Sequence, residues 1–423
     1  MNSAKGYVCK IYERLVDIYP DKPWNKSYES IERMRGGFLL RGGQAELSNS
    51  ITTGLVYFDR SGYDDSDPQG KDLIEESIYF ISQVIPYCES VLNGGYGPTN
   101  IVKRLRGAFS NDNDMRAIRF EFLMVNYFRY KGCGIYFPDE SGGDETYDLL
   151  IQPPYGLPFE VECKSFSGDK GTTVSLDEGA SVLDVLIKRH GDKISSISPG
   201  KGRVKIINII LSSPVPTKKD SLHDLTGSIM ETIPSSGLFA SDVFSLEVKT
   251  LDDFDMDAYL VDVEKSENAF SGRDLLWGEA LKFQGGIAGF IVHECGDGGL
   301  VCFRVSSSLK KKYWKEIAEV AKKAAKEQLT GKRPGVVALQ FINESVEYFS
   351  GIHLKNNNFN MLANRYFKLK HITNFVFVGD ILRSEIDNFP IKVDSVLVRA
   401  IRNKSSYFES GGIYLLLDDN VKL

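Results

Sequence analysis

Asp148, Glu162 and Lys164 stand close together in the chain, and they are the residue types that can hold a divalent metal and a water beside a phosphodiester. Along Phe159-Glu160-Val161-Glu162-Cys163-Lys164 the side chains alternate between polar and apolar. A strand sends residues i, i+2 and i+4 to one face. Glu160, Glu162 and Lys164 therefore share a face, with Phe159, Val161, Cys163 and Phe166 supplying apolar packing behind it. The row could be the solvent side of a half-buried strand, held by a cross-strand salt bridge worth under about 1 kcal/mol, or the floor of a site. Asp148 opens a second apolar run, Leu149-Leu150-Ile151. Between the two runs lie Pro153, Pro154, Gly156 and Pro158, which make the connection a turn. Two carboxylates alone repel and raise one pKa. A divalent cation between them reverses that penalty, and an ammonium two residues along can orient a water and offset charge developing on a phosphate.

The elements that must position these groups are legible on either side. Ser110-Asn111-Asp112-Asn113 is rich in capping residues and Lys131-Gly132 supplies a stop, so a helix is expected over 112–130. Within it Glu121 has Ala117, Ile118, Met124 and Val125 at the spacings that define one helix face. A carboxylate in an apolar stripe needs a metal, an arginine or a proton. Arg116, Arg119 and Arg129 are at hand in the same helix. A strand at Gly134–Phe137 precedes the Asp148 strand. After Lys164 a second helix is expected from the capping box Ser175-Leu176-Asp177-Glu178 to Lys188-Arg189-His190-Gly191. The apolar, β-branched run within 203–213 reads as a buried central strand.

Helix with glutamate, strand, strand with Asp148, strand with Glu162 and Lys164, helix, strand: this order resembles the PD-(D/E)XK nuclease superfamily, whose restriction-endonuclease-like core runs αβββαβ. The resemblance covers about 105–215, with Tyr147 standing where the family's proline precedes the first aspartate. It implies Mg²⁺-dependent phosphodiester hydrolysis, with Mn²⁺ as a possible substitute. Asp148, Glu162, Glu121 and the backbone carbonyl of Cys163 would ligate the metal, and Lys164 would position the water. It also implies a nucleic-acid substrate and, from the large accessory regions, an effector role in bacterial restriction or anti-phage defence, alongside a sensor or partner protein. The alternative is a silent nuclease fold serving nucleic-acid binding or assembly.

At 423 residues the chain exceeds one ordinary core. Hydrophobic content of 42% and charged content of 26% belong to a globular chain. No apolar run reaches a membrane span and no signal-peptide layout opens the sequence, so a cytoplasmic protein is expected. The six cysteines form no Cys-x-x-Cys pair, which argues against zinc. A net charge of −6 argues against coating nucleic acid by bulk electrostatics, leaving a local basic patch or a partner to supply the groove.

The expected organisation is an α/β fold in four parts: a mostly helical extension over 1–104, the nuclease-like domain over 105–215, an irregular acidic connection over 216–285, and a second α/β or α+β domain over 286–423. In the first, residues 71–92 read as a helix that Pro86 kinks or interrupts. The glycine-rich Asn93-Gly94-Gly95-Tyr96-Gly97-Pro98 reads as a boundary. In the last, a hairpin (287–293 and 300–305), a long helix (309–329) and strands at 336–341, 375–378, 395–401 and 413–417 are expected. Lys311, Lys315 and Lys322 lie in the densest positive run of the chain and could track a phosphate backbone, as could Lys170 in the loop after the Glu-x-Lys strand. The competing reading of that helix is an amphipathic one with solvated lysines, diluted by Glu316, Glu319 and Glu327.

Overall fold

In a computed structural model of the chain the described residues are 4–37, 49–98, 100–138, 146–166, 174–233, 237–252, 287–308, 313–342, 358–386 and 389–408. The fold is mixed α/β. Helices α1 (Ala4–Ile18), α2 (Pro23–Gly37), α3 (Ser50–Ser61), α4 (Pro68–Leu92), α5 (Ile101–Ala108) and α6 (Asp112–Tyr130) come first. They lead into strands β1 (Gly134–Tyr136), β2 (Leu149–Gln152) and β3 (Phe159–Phe166). Next are α7 (Leu176–Ser196), β4 (Val204–Leu211), α8 (Lys219–Thr232), β5 (Gly237–Ala240), β6 (Phe244–Leu251), β7 (Ile287–Glu294) and β8 (Leu300–Ser307). The last described elements are α9 (Tyr313–Lys323), a π turn (Ala324–Gln328), β9 (Gly335–Phe341), α10 (Asn358–Tyr366), β10 (Ile372–Ser384) and β11 (Val393–Arg402). No helix among the described residues is long and apolar enough to cross a membrane.

The chain divides into two units. The first comprises Met1–Ser30, Glu46–Gly168 and Trp314–Leu423, and the second Ile31–Ala45 and Asp169–Tyr313. The first unit holds a six-stranded sheet in the order β1-β2-β3-β9-β10-β11. β1, β2 and β3 are antiparallel neighbours, whereas β9 runs parallel to both β3 and β10. All seven residues of β9 are buried, as a strand in the middle of a sheet covered on both faces should be. An aromatic cluster fixes the elements that return after the second unit. Phe341 packs on Phe166 at 5.5 Å, Phe359 on Phe377 at 4.6 Å, and Trp314 on Phe359 at 5.5 Å, tying α9 and α10 to β3, β9 and β10.

The second unit is a five-stranded sheet, β5-β6-β4-β8-β7, with α7 and α8 packed on one face through Val182, Leu183, Leu186, Ile229, Ile207, Ile209, Phe303 and Val305. This corrects the expected order. The helix from Ser175 and the strand within 203–213 do form, but β4 pairs with β6 and β8 rather than with β3. The segment 216–285 is not irregular where it is described: it supplies α8, β5 and β6. The hairpin β7–β8 likewise belongs to this sheet and not to a C-terminal domain. A β-branched apolar run states that a strand is buried on both faces but carries no address for its partner, so it does not distinguish the sheet of β3 from the one that β4 joins. α7 also runs past the expected stop. It kinks at His190 (φ −124°, ψ 17°) and continues to Ser196, because the buried Ile194 keeps its next turn in the core.

Around the first sheet the helices start where capping dictates. The Asn111 side chain accepts the backbone N–H groups of Asn113 and Asp114 at 3.1 and 3.3 Å, and Asp112 and Asp114 lie in the first turn of α6. α4 begins at Asp67, whose carboxylate accepts the Gly70 N–H at 2.6 Å, and runs unbroken through Pro86. Its stripe of buried Ile74, Ile78, Ile81 and Ile85 outweighs the one backbone bond that a proline removes. The glycine-rich stretch after α4 is a turn that delivers Tyr96 to the sheet edge. The Tyr96 hydroxyl donates to the Ile135 carbonyl at 2.6 Å and accepts the Phe137 N–H at 3.0 Å, so it covers the open edge of β1. Arg119 of α6 binds Glu76 of α4 and Asp394 of β11, the latter at 3.0 Å, tying those elements together. Residues 309–312 and the expected strand at 413–417 lie outside the described residues.

Candidate metal and phosphodiester site

The β2–β3 register sets the centre of the site. Leu149 pairs with Val161, so the next step along the same ladder opposes Asp148 to Glu162. Directly opposed residues in an antiparallel pair have Cβ atoms about 4.5–5.5 Å apart. β2 begins only at Leu149, and the Asp148 carboxylate takes the place of the missing ladder partner by accepting the Cys163 N–H at 2.7 Å. In an antiparallel ladder the N–H and C=O of one residue point to the same side. The Cys163 carbonyl therefore faces the strand edge where Asp148 sits, while its thiol side chain is packed in the interior.

Glu162 is fully buried and its Oε1 is bonded to the Lys164 ammonium, two residues along the same face. Its Oε2 is buried too and has no hydrogen-bond partner among the described residues. The Lys164 side chain is 27% exposed, so the ammonium stands between the buried carboxylate and solvent. Glu121 reaches the cluster from α6. Its partner is none of the helix's own arginines but Arg104 of α5, whose Nη2 donates to Oε1 at 2.7 Å and Oε2 at 3.0 Å. Arg116 binds Asn113, Arg119 is engaged as above, and Arg129 donates to the Tyr87 hydroxyl at 3.1 Å.

The electrostatics join these groups into one system. Burial and then the Asp148 charge push Glu121 up to about 7, against the pull of Arg104 and Lys164. Burial and Asp148 likewise push Glu162 up to about 8, against Lys164. Burial lowers the Lys164 ammonium, but the Glu162 and Asp148 charges outweigh it and its pKa is raised. Carboxylates in this state want a cation. Each is turned at present to a protein donor, and among the described residues no three His, Cys, Asp or Glu side chains are gathered at ligand distances. By type alone the donors are ones that Mg²⁺ or Mn²⁺ takes: hard carboxylate oxygens, one of them buried and without a hydrogen-bond partner among the described residues, and a main-chain carbonyl.

The neighbouring polar residue on β3 does a different job. Glu160 accepts the Thr330 N–H at 2.8 Å, the Thr330 hydroxyl, and Arg333 Nη1 at 3.3 Å. Those donors lie between the π turn and β9, so Glu160 fastens the crossover from α9 into β9. Of the basic residues singled out in sequence, Lys315 is exposed on α9. Lys322 is on the same helix and bonded to Glu319 at 3.0 Å, with α9 burying Ile317, Ala318 and Ala321, as an amphipathic helix does. Lys170 and Lys311 lie outside the described residues. Arg104 escaped the sequence reading because nothing local marks it: it is 17 residues from Glu121 and sits beside an ordinary buried stripe of Ile101, Leu105 and Ala108. No protein-family model matches the chain, and no curated protein matches it.

Proposed function

We propose that the first unit is a divalent-metal-dependent phosphodiesterase of the PD-(D/E)XK type, acting on nucleic acid. The observation that carries this reading is the gathering of Asp148, just before β2, Glu162 and Lys164 of β3 and Glu121 of α6 into one electrostatic cluster, with a buried Glu162 oxygen that has no hydrogen-bond partner among the described residues. The element order supports it. α6, β1, β2 and β3 are followed, across the inserted second unit, by α9 and the parallel strand β9, which gives an αβββαβ order assembled from separated pieces of chain.

Asp148, Glu162, Glu121 and the Cys163 carbonyl would hold Mg²⁺ or Mn²⁺. When bound, the cation supplies Lewis acidity to a phosphoryl oxygen and to a water. Lys164 would orient a water through its ammonium and offset the negative charge on the phosphate as the water oxygen bonds to phosphorus and the bond to the leaving oxygen breaks. Glu162 fixes the ammonium from below by accepting its hydrogen bond. A role in restriction or anti-phage defence rests on the likeness of such cores with large accessory regions. It predicts that expressing the wild type, but not Lys164→Ala, lowers phage plating.

The chemistry is tested by incubating wild type and Lys164→Ala with circular double-stranded DNA, linear single-stranded DNA and RNA, with Mg²⁺ or EDTA. Cleavage of at least one substrate should need both the metal and Lys164. Cleavage that persists in EDTA and survives the substitution would remove the mechanism, and binding without cleavage would favour a silent module.

A further inference from the structure

Arg104 stands between the carboxylate cluster and solvent: its side chain is 33% exposed and that of its partner Glu121 is 13% exposed. It grips Glu121 end-on, with the single nitrogen Nη2 shared by both oxygens, rather than through the two-nitrogen fork that makes arginine–carboxylate pairs strong. A one-nitrogen grip lacks the second bond of the fork and is the weaker form of this pair. The charge count gives an exchange of partners a direction. With every group ionised, Asp148, Glu121 and Glu162 against Lys164 and Arg104 leave one net negative charge. A divalent cation turns this into one net positive charge, which matches the single charge of a phosphodiester.

Resting on the metal-site reading above, we propose that Arg104 is an exchangeable phosphate ligand. Without metal it occupies the oxygens of Glu121. When a divalent cation takes Glu121, the guanidinium passes to a non-bridging oxygen of the substrate phosphate, the group whose planar geometry it fits. No covalent bond is made or broken in the exchange. Arg104 therefore competes with the metal and cooperates with the substrate, a pair of effects of opposite sign that a residue merely bracing α5 against α6 could not produce.

Mn²⁺ binding to wild type, Arg104→Gln and Arg104→Lys, measured by calorimetry, is the first arm. Arg104→Gln should bind Mn²⁺ roughly fivefold more tightly, because a positive charge has left the cluster, and Arg104→Lys should bind like wild type. The second arm is the affinity of labelled 12-nucleotide DNA and RNA strands in Mg²⁺, in a Lys164→Ala background that prevents turnover. There Arg104→Gln should weaken binding about tenfold, with Arg104→Lys recovering part of it. Mn²⁺ affinity that does not rise in Arg104→Gln, or oligonucleotide affinity that does not fall, would overturn the exchange. A wild type that binds Mn²⁺ and cleaves while Arg104→Gln matches it in both arms sinks this inference alone. A wild type that binds no Mn²⁺ sinks the nuclease reading and this inference together.

Discussion

Glu160 and Glu162 lie two residues apart on β3, both without exposure to solvent, yet their surroundings are opposite. The region around Glu160 is closed: a backbone N–H, a hydroxyl and an arginine meet the carboxylate, and all three donors come from the segment that returns the chain to β9. The region around Glu162 is open in the electrostatic sense: one oxygen meets Lys164, the other meets nothing among the described residues, and two further carboxylates raise its pKa. A fully paired buried carboxylate ties its partners' elements together, whereas one left short of positive charge among like charges is the kind of group on which the proposed site rests. Sequence alternation puts both glutamates in one row and cannot tell them apart.

Substitutions at the two positions should therefore diverge. Lys164→Ala and Glu162→Gln should each lower cleavage by about 10²- to 10³-fold, the usual cost of removing one group that stabilises transition-state charge, and both variants should stay folded, because Glu162→Gln relieves repulsion and the Glu162 carboxyl, already pushed up to about 8, takes a proton when Lys164 is lost. Glu160→Ala should do the reverse. Losing the acceptor of three hydrogen bonds at a buried crossover should cost about 2–4 kcal/mol of stability in chemical denaturation, with cleavage per folded molecule near wild type. If Glu160→Ala proves inactive while fully stable, the two regions are not distinct.

A smaller effect should appear on changing pH without metal. The Glu121 and Glu162 carboxyls keep their protons to about 7 and about 8 in the folded protein, against an ordinary 4.5. Between about pH 5 and about pH 8 the folded state thus binds more protons than the unfolded chain, and stability falls as pH rises. Thermal melts in EDTA should show that decline, and Glu162→Gln should flatten it. Mn²⁺ affinity should rise with pH over the same window, by about tenfold per unit for each proton displaced. The smallest effect is expected on α9. Lys315→Glu should weaken oligonucleotide binding about twofold at low salt and not at all near 0.5 M salt, and Lys322→Glu less, since Glu319 already neutralises Lys322.

The local half of the first unit was legible in the sequence. The cap at Asn111, the stop at Lys131-Gly132, the proline-rich turn before Phe159 and the alternation along β3 place α6, β1, β2 and β3 close to where they stand. The same local signals single out Asp148, Glu162, Lys164 and Glu121, the residues on which the proposed site rests. What could not be read was which later elements complete the sheet. The segment from Asp169 to Tyr313 folds as a unit of its own between β3 and α9, and its first helix and strand have the burial pattern that the missing pair required. Burial patterns report how many faces of a strand are covered and not by what, so the nearer candidates displaced α9 and β9. Arg104 and Thr330 were hidden for a related reason: each acts on a carboxylate far along the chain, Thr330 from 170 residues away.

On the proposed reading, Asp148, Glu162 and Glu121 share one divalent cation. Calorimetric titration of Mn²⁺ into the wild type, Asp148→Asn and Glu162→Gln at about pH 8, where both raised carboxyls can ionise, tests it most directly. One Mn²⁺ per chain, lost or weakened by at least about tenfold in each variant, is the predicted result. Binding of equal affinity in all three proteins, or none in the wild type, would contradict it.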